Sequence, residues 1–298
     1  MTTPQAVPSL KVIPARYPLR LAGAVFSLFI VLGILQSIAT NPRWEWQVFA
    51  RWFFDPAILS GLGKTLLLTL LGTVFGTLIG TALALARLSQ SWLLKALAWG
   101  YIWLFRSLPL LLVLIILYNF SYLYDNLSLG IPFTSVTFFT HATTELLDQF
   151  TVAVLGLSMV QGAYTAEIIR GGITGVDHGQ HEAAAALGLP PGRRTFRIIL
   201  PQALRAILPT GFNEVISLAK GTAIVYVLSM PELFYTVQVL YNRTQQVIPL
   251  LMVASVWYLL ITTVLSILQH FVERFFSRGV LRPTVSRRRN LFRRALRA

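Results

Sequence analysis

Six runs of apolar residues, each roughly twenty long, alternate with polar connections at residues 19–38, 65–86, 97–118, 150–169, 208–230 and 249–271. A helix needs about 20 apolar residues to cross the hydrocarbon core of a bilayer. The pattern therefore predicts an all-α, polytopic transmembrane helical bundle of about six spans. The first run has a rival reading as a signal peptide, since Ser37, Ile38 and Ala39 follow a small-x-small cleavage pattern. Signal-peptide cores run to only about 7–15 residues, so a retained helix is expected over 19–40.

The connections differ in charge. Residues 41–63 carry Arg43 and Arg51 against Glu45 and Asp55, and residues 231–248 carry Glu232 and Arg243. Residues 119–149 hold Asp125, Glu145 and Asp148 with neither Lys nor Arg. By contrast, Arg87 and Lys95 follow the second run, and Arg170, Arg193, Arg194, Arg197 and Arg205 follow the fourth. A polar tail over 1–18 precedes the first run, and a tail from 273 to 298 carries nine arginines, from Arg274 to Arg297. Cationic connections stay on the cytoplasmic side, so the alternation places both termini in the cytoplasm and the 119–149 loop outside. Ile131, Phe133, Phe138 and Phe139 predict a short re-entrant or interfacial piece in that outer loop. The basic tail is expected against anionic lipid headgroups, each charge contributing about 1 kcal/mol near the surface.

Between the fourth and fifth runs lies a basic, proline-broken stretch, 177–209. Asp177 is placed to cap a short helix, with Gln180 at the third helical position as in a capping box and Gly188 as the stop. Between them, Glu182-Ala183-Ala184-Ala185-Ala186-Leu187 are helix formers, and their small side chains admit close approach of another surface. Pro191 is expected to start a second helix and Pro201 to interrupt it.

Glu182, Ala183, Ala184, Gly188, Ile198, Leu200 and Pro201, with their spacing, resemble the EAA loop of the membrane subunits of ATP-binding-cassette (ABC) importers. The segments Phe105-Arg106-Ser107-Leu108-Pro109-Leu110 and Gly162 to Gly172, with the region of Lys220, are similar to the polar amino acid branch of these permeases. Ser107-Leu108 and Gly221-Thr222-Ala223 depart from the pattern usual in that branch, which leaves the solute open. The resemblance covers about residues 61–279. It implies a type I importer fold, with a five-helix core over 61–272 and an additional first helix. It further implies a cytoplasmic coupling helix in which Glu182 anchors to the ATPase, Ala183 to Ala186 fit its groove and Gly188 permits the turn. The partners it implies are a second permease subunit (the same chain or a paralogue), two cytoplasmic ATPase subunits that hold ATP and magnesium, and an extracytoplasmic solute-binding protein. The location it implies is a bacterial plasma (inner) membrane. Other importer branches, for peptides, sugars or osmolytes, share the coupling loop, and an ion-coupled secondary transporter is the remaining rival.

Within the spans, Thr65, Thr69, Thr73, Thr77 and Thr81 recur at steps of four beside Gly72, Gly76 and Gly80. Such a ridge favours close helix packing in lipid, with a polar path as the alternative. Ionisable groups in a membrane are costly and mark function or pairing. Arg106 and Glu214 stand at similar depths in their runs and are expected to pair. Lys220, near mid-membrane, is a candidate for contact with the solute, together with Asn213, Ser217 and Thr222.

Composition narrows the remainder. The chain of 298 residues is 55% hydrophobic and 12% charged with no cysteine, against roughly 45–50% and 25% in soluble domains. Disulfides and thiolate metal sites are excluded. The net charge of +14 sits beside membrane spans, so no nucleic acid is expected. His178, His181 and Glu182 are not HExxH and lack an evident third ligand, so a solvated loop is expected rather than a metal site. No glycine-rich phosphate loop occurs, so no cofactor and no ATP are expected on this chain. No catalytic cluster stands out, which reads as a transport subunit rather than an enzyme.

Overall fold

The computed structural model describes residues 18–131, 134 and 136–276. The polar N-terminal tail, most of the basic C-terminal tail and Phe133 lie outside the described residues. The chain divides into two units, residues 1–47 and 48–298. The first holds helix α1, Pro18–Thr40, so the first apolar run is helical as expected. The Thr40 hydroxyl donates to the Gln36 carbonyl at 2.8 Å, and Trp46 Nε1 donates to the Ile38 carbonyl at 3.3 Å.

The boundary falls inside α2, Trp46–Phe53, and the second unit goes on to the long α3, Pro56–Leu88, whose start is capped by Asp55 accepting from the Ala57 N–H at 2.9 Å. Next come α4, Trp92–Ser107, and α5, Leu110–Tyr118. The run over 97–118 is not one straight helix: the two pieces meet at 103°. Pro109 is the cause. It supplies no N–H and pushes the preceding Leu108 to an extended φ of −86° and ψ of 134°, which ends α4 at Ser107.

The 119–149 connection folds as a β-hairpin of β1, Asn126–Gly130, and β2, Thr137–Ala142, antiparallel with Leu127 opposite His141 and Leu129 opposite Phe139. Two threonines and two phenylalanines in β2 suit a pleated surface. The piece expected there as re-entrant or interfacial has the form of this hairpin, with Phe138 and Phe139 exposed on β2. A short α6, Thr143–Leu146, leads into α7, Gln149–Thr174, capped by Asp148.

After α7, a short α8, His178–Ala186, turns into α9, Pro191–Arg194. Pro201 does not interrupt the helix that follows. A single π-turn over Thr195–Ile199 absorbs the missing donor and ring, and α10, Leu200–Gly221, continues through it. The polar stretch expected up to Pro209 is thus shorter, because Pro209 lies inside α10. A 3₁₀ segment, Thr222–Leu228, ends at Ser229 in the left-handed region (φ 58°). The following α11, Leu233–Thr244, replaces the outer loop expected over 231–248 and packs against α3 and α12, Val247–Phe276, with Leu233 and Val237 fully buried. Among the described residues, four helices are long and apolar enough to cross a membrane, and the number of candidate spans rises to six if each bent pair counts as one.

The packing centre is α3 against α7. A Cβ on Gly76 would stand 2.6 Å from Gln161 Cγ, and one on Gly80 would stand 2.6 Å from Thr165 Cβ. Only glycine admits this approach, and the close packing expected of the ridge is what the structure has. The threonines divide. Thr69 and Thr81 bond back to the carbonyls of Thr65 and Thr77, and Thr77 faces outward. One buried cluster gathers Leu68, Leu114, Leu157, Leu218 and Val225; a second joins Ile58, Leu233, Leu250 and Val253.

Candidate functional site

The α4–α5 bend, the middle of α7 and α10 line an open cavity of about 470 Å³. Arg106, Ser107 and Pro109 come from the bend, Gln161 and Tyr164 from α7, and Glu214, Ser217 and Gly221 from α10. Because Pro109 ends α4, Arg106 falls in its last turn, where unpaired carbonyls favour a cation. The Arg106 guanidinium lies over the Tyr164 ring, 5.4 Å from its centroid. Arg106 also acts on the Glu214 carboxylate through space, yet the two form no ion pair within bonding distance among the described residues. The expected pairing is therefore corrected: the guanidinium is taken up by an aromatic face, and both charged heads remain available to the cavity.

Ser217 lines the cavity as well. The other candidates on α10 do not. Asn213 Oδ1 accepts from Gln269 Nε2 of α12 at 3.1 Å. Thr222 is fully buried and donates to the Ala219 carbonyl at 2.7 Å. Lys220 is exposed and is not among the residues lining the cavity. Gln161 and Tyr164 went unnamed as site residues because an amide and a phenol in an apolar helix carry no spacing signature; Tyr164 sits in the segment matched on other grounds.

The second candidate region is α8. Asp177 caps it, accepting from the Gly179 N–H at 2.7 Å, but Gln180 does not close a capping box. Its Oε1 accepts instead from Gln202 Nε2 at 3.3 Å, tying α8 to α10. The stop is a Schellman turn: Leu189 N–H donates to the Ala184 carbonyl at 3.2 Å and Gly188 N–H to that of Ala185 at 2.9 Å, with Gly188 at φ +68°. Glu182, Ala183, Ala185 and Gly188 are exposed. Ala184 is buried against its own chain and so is not available to a partner's groove. Glu182 Oε1 meets His178 Nδ1 at 3.2 Å. Ile198 and Leu200 are half-buried, its neighbour Ile199 fully so, and Pro201 is exposed. Leu187 (78% exposed) and Phe196 (70%) project from the same region; they stand outside the motif's fixed positions and were missed for that reason.

The sequence profile of the family described as "binding-protein-dependent transport system inner membrane component" matches residues 72–278. The chain belongs to this family. As a binding-protein-dependent transport component it is a transport subunit and a multi-pass inner membrane protein that works with ABC transporter partners. It is 33% identical over 281 residues to the arginine transport system permease protein ArgU of Corynebacterium glutamicum, covering 92% of this chain and 85% of that one. It is 34% identical over 250 residues to the L-cystine transport system permease protein TcyB of Bacillus subtilis (84% and 98%). To the glutamate/aspartate import permease protein GltK of Escherichia coli it is 34% identical over 225 residues (74% and 93%). A crystal structure of an amino acid ABC transporter with histidines aligns with TM-score 0.62 and 34% identity, covering 74% of this chain and 94% of that one. The MetNI methionine ABC transporter, at 16% identity and TM-score 0.61, shares the fold.

Proposed function

We propose that this permease carries a polar amino acid inward through the cavity between α4, α7 and α10, driven by cytoplasmic ATPases that act on α8. The observation that carries the reading is the cavity's charge arrangement. Arg106 and Glu214, unpaired with each other, offer one cation and one carboxylate to a single space. A free amino acid presents the complementary pair, a carboxylate for the guanidinium and an ammonium for Glu214. Ser217 and Gln161 add hydrogen-bonding groups. Lys220, Asn213 and Thr222 then act outside the cavity, with Lys220 facing a second permease subunit. The second subunit is either another copy of this chain or a paralogue. An extracytoplasmic binding protein delivers the solute to the outer face.

In the same reading, ATP and magnesium belong to the two ATPases, both termini lie in the cytoplasm, and α8 is the lever. Glu182 makes a charged contact, Ala183, Ala185 and Leu187 fill the partner's groove, and the Schellman turn at Gly188 fixes the lever's angle to the π-turn and α10. Closure of the ATPases moves α8 as a rigid piece and rocks the permeases about the cavity. The test is reconstitution with the cognate ATPase and binding protein in vesicles, followed by uptake of labelled L-arginine, L-glutamate and L-cystine. ATP-dependent, binding-protein-dependent uptake of one of them is expected. Uptake that proceeds without ATP would refute the coupling.

A further inference from the structure

Three consecutive residues weaken α10 just before Asn213 and Glu214. Pro209 lies inside the helix and has no N–H, so the Arg205 carbonyl loses its usual donor four residues on. The Thr210 hydroxyl donates back to the Ala206 carbonyl at 3.1 Å, a bond that loosens helices. Gly211 follows, with open space where a Cβ would stand, and glycine is a poor helix former. On both sides of this turn α10 is firmly packed. Gly172 of α7 leaves room for Ile207, which a Cβ there would strike, and a Cβ on Gly72 of α3 would stand 3.1 Å from Leu218 Cδ2. At the weak turn itself, Gln269 of α12 intervenes. Its Nε2 donates to Asn213 Oδ1 at 3.1 Å and to the Pro209 carbonyl at 3.4 Å, and Glu273 Oε1 accepts from the same nitrogen at 2.9 Å. None of Pro209, Asn213, Gln269 and Glu273 lines the cavity, whereas Glu214 and Ser217 do.

We propose that Gln269 is a positioning residue for the cavity: it supports the turn that Pro209 weakens and so fixes the direction of the Glu214 carboxylate and of Ser217. The amide grips the Pro209 carbonyl and the Asn213 side chain, the two ends of one helical turn. Glu214 follows Asn213 directly, and Ser217 lies one turn beyond it, so both take their orientation from that turn. An amide between two membrane helices also serves packing. What makes this one a positioning group is its place on a turn whose own ladder is broken; an intact helix would hold Glu214 without it. The part played by Glu214 in recognition rests on the amino acid reading above; the support of the turn does not.

Amide hydrogen exchange across residues 210–214, followed by mass spectrometry on the purified full complex without solute, reads the turn directly. Gln269→Met, close in size and without an N–H, is expected to speed exchange there about tenfold. Pro209→Ala restores the missing donor, so alone it is expected to exchange more slowly than the parent. Added to Gln269→Met, it is expected to bring exchange back to within about twofold of the parent. Ser266→Ala removes a hydroxyl bonded to the Thr262 carbonyl of its own helix at 2.7 Å and is expected to exchange as the parent does. The melting temperature reports whether each variant folds. In vesicles, Gln269→Met is expected to raise KM for L-arginine uptake about tenfold with the maximal rate within about twofold, and to add little in a Glu214→Gln background. Parent-like exchange in Gln269→Met or in Pro209→Ala, no recovery in the double variant, or equal loosening by Ser266→Ala overturns the proposal. So does a KM rise that is as large in the Glu214→Gln background. Exchange that behaves as expected while KM stays put overturns the recognition of L-arginine by Glu214 and leaves the support of the turn standing.

Discussion

The hydroxyl of Thr65 donates to Glu232 Oε2 at 3.3 Å while accepting the Leu233 N–H at 3.1 Å, so α3 grips the first turn of α11 through a single side chain. Glu232 is fully buried and also accepts the N–H groups of Phe234 and Tyr235 at 2.9 and 2.7 Å and the Tyr258 hydroxyl at 3.2 Å. A buried carboxylate is tolerable when its oxygens are satisfied in this way, and removing it strands several donors. Glu232→Ala is expected to destabilise the protein by about 3 kcal/mol, and Thr65→Val by about 1–2 kcal/mol. Thermal melting of the detergent-purified protein measures both. A Glu232→Ala protein that melts with the parent would show that water fills the gap.

Gly188 meets nothing within 4 Å where a Cβ would stand, so the constraint there is its backbone, φ +68°, and not space. Asparagine and aspartate visit this region with modest strain, whereas a β-branched residue does not. Gly188→Asn is expected to keep most ATP-driven uptake, and Gly188→Val to lose it while inserting normally. Gly188→Asp separates backbone from charge: on the coupling reading it is expected to abolish uptake, because it would add a carboxylate to the end of α8 proposed to meet the ATPase. Uptake rates normalised to membrane-inserted protein decide this, and equal rates for the asparagine and aspartate variants would rule out the charge effect.

How far the chain could be read in advance varies by region. The spans were legible because hydropathy integrates over twenty residues, and α8 because Asp177 and Gly188 are local stop signals. The bend at Pro109 was not, since Leu110–Tyr118 is wholly apolar and hydropathy is blind to direction. The membrane role of α11 was hidden for the opposite reason: Glu232, Asn242 and Arg243 made 231–248 look like a water-facing loop, whereas Glu232 faces inward to Thr65 and Tyr258. Arg106 and Glu214 were matched correctly in depth. Their separation depended on Tyr164, whose claim on the guanidinium is a tertiary fact. In the cap of α8, Gln180 had two partners open to it, and only the arrival of Gln202 from α10 decided between them.

Asp148 caps the start of α7, its Oδ1 accepting the Thr151 N–H at 2.8 Å. The Thr151 hydroxyl and N–H, and then the Phe150 N–H, hold its carboxyl below the usual range against a small opposing effect of burial. A carboxyl lowered in the folded state contributes stability that is complete above its unfolded pKa of about 4. That contribution fades as pH falls through the folded value. Asp148→Ala is expected to cost about 1 kcal/mol at neutral pH, the usual worth of an N-cap. The melting temperatures of variant and parent are expected to converge as the pH is lowered below 4. A gap that does not narrow as the pH falls would assign the cost to something other than the charged cap.

Arg106 and Glu214 share the cavity without sharing a bond, and this makes their separate roles measurable. If each holds one end of a zwitterion, Glu214→Gln weakens the ammonium contact and Arg106→Gln the carboxylate contact. Losing a charge-assisted hydrogen bond costs about 1.5–3 kcal/mol. At 1.4 kcal/mol per factor of ten, KM for uptake is expected to rise about 10- to 100-fold in each variant. The end of the solute that matters should differ between them. An analogue lacking the amino group should lose its disadvantage in Glu214→Gln, and one with the carboxylate amidated should lose its disadvantage in Arg106→Gln. Because Arg106 also acts on Glu214 through space, the double variant is expected to fall short of the product of the single effects. Single variants with unchanged KM, or analogue preferences that do not follow the missing charge, would remove both residues from solute recognition.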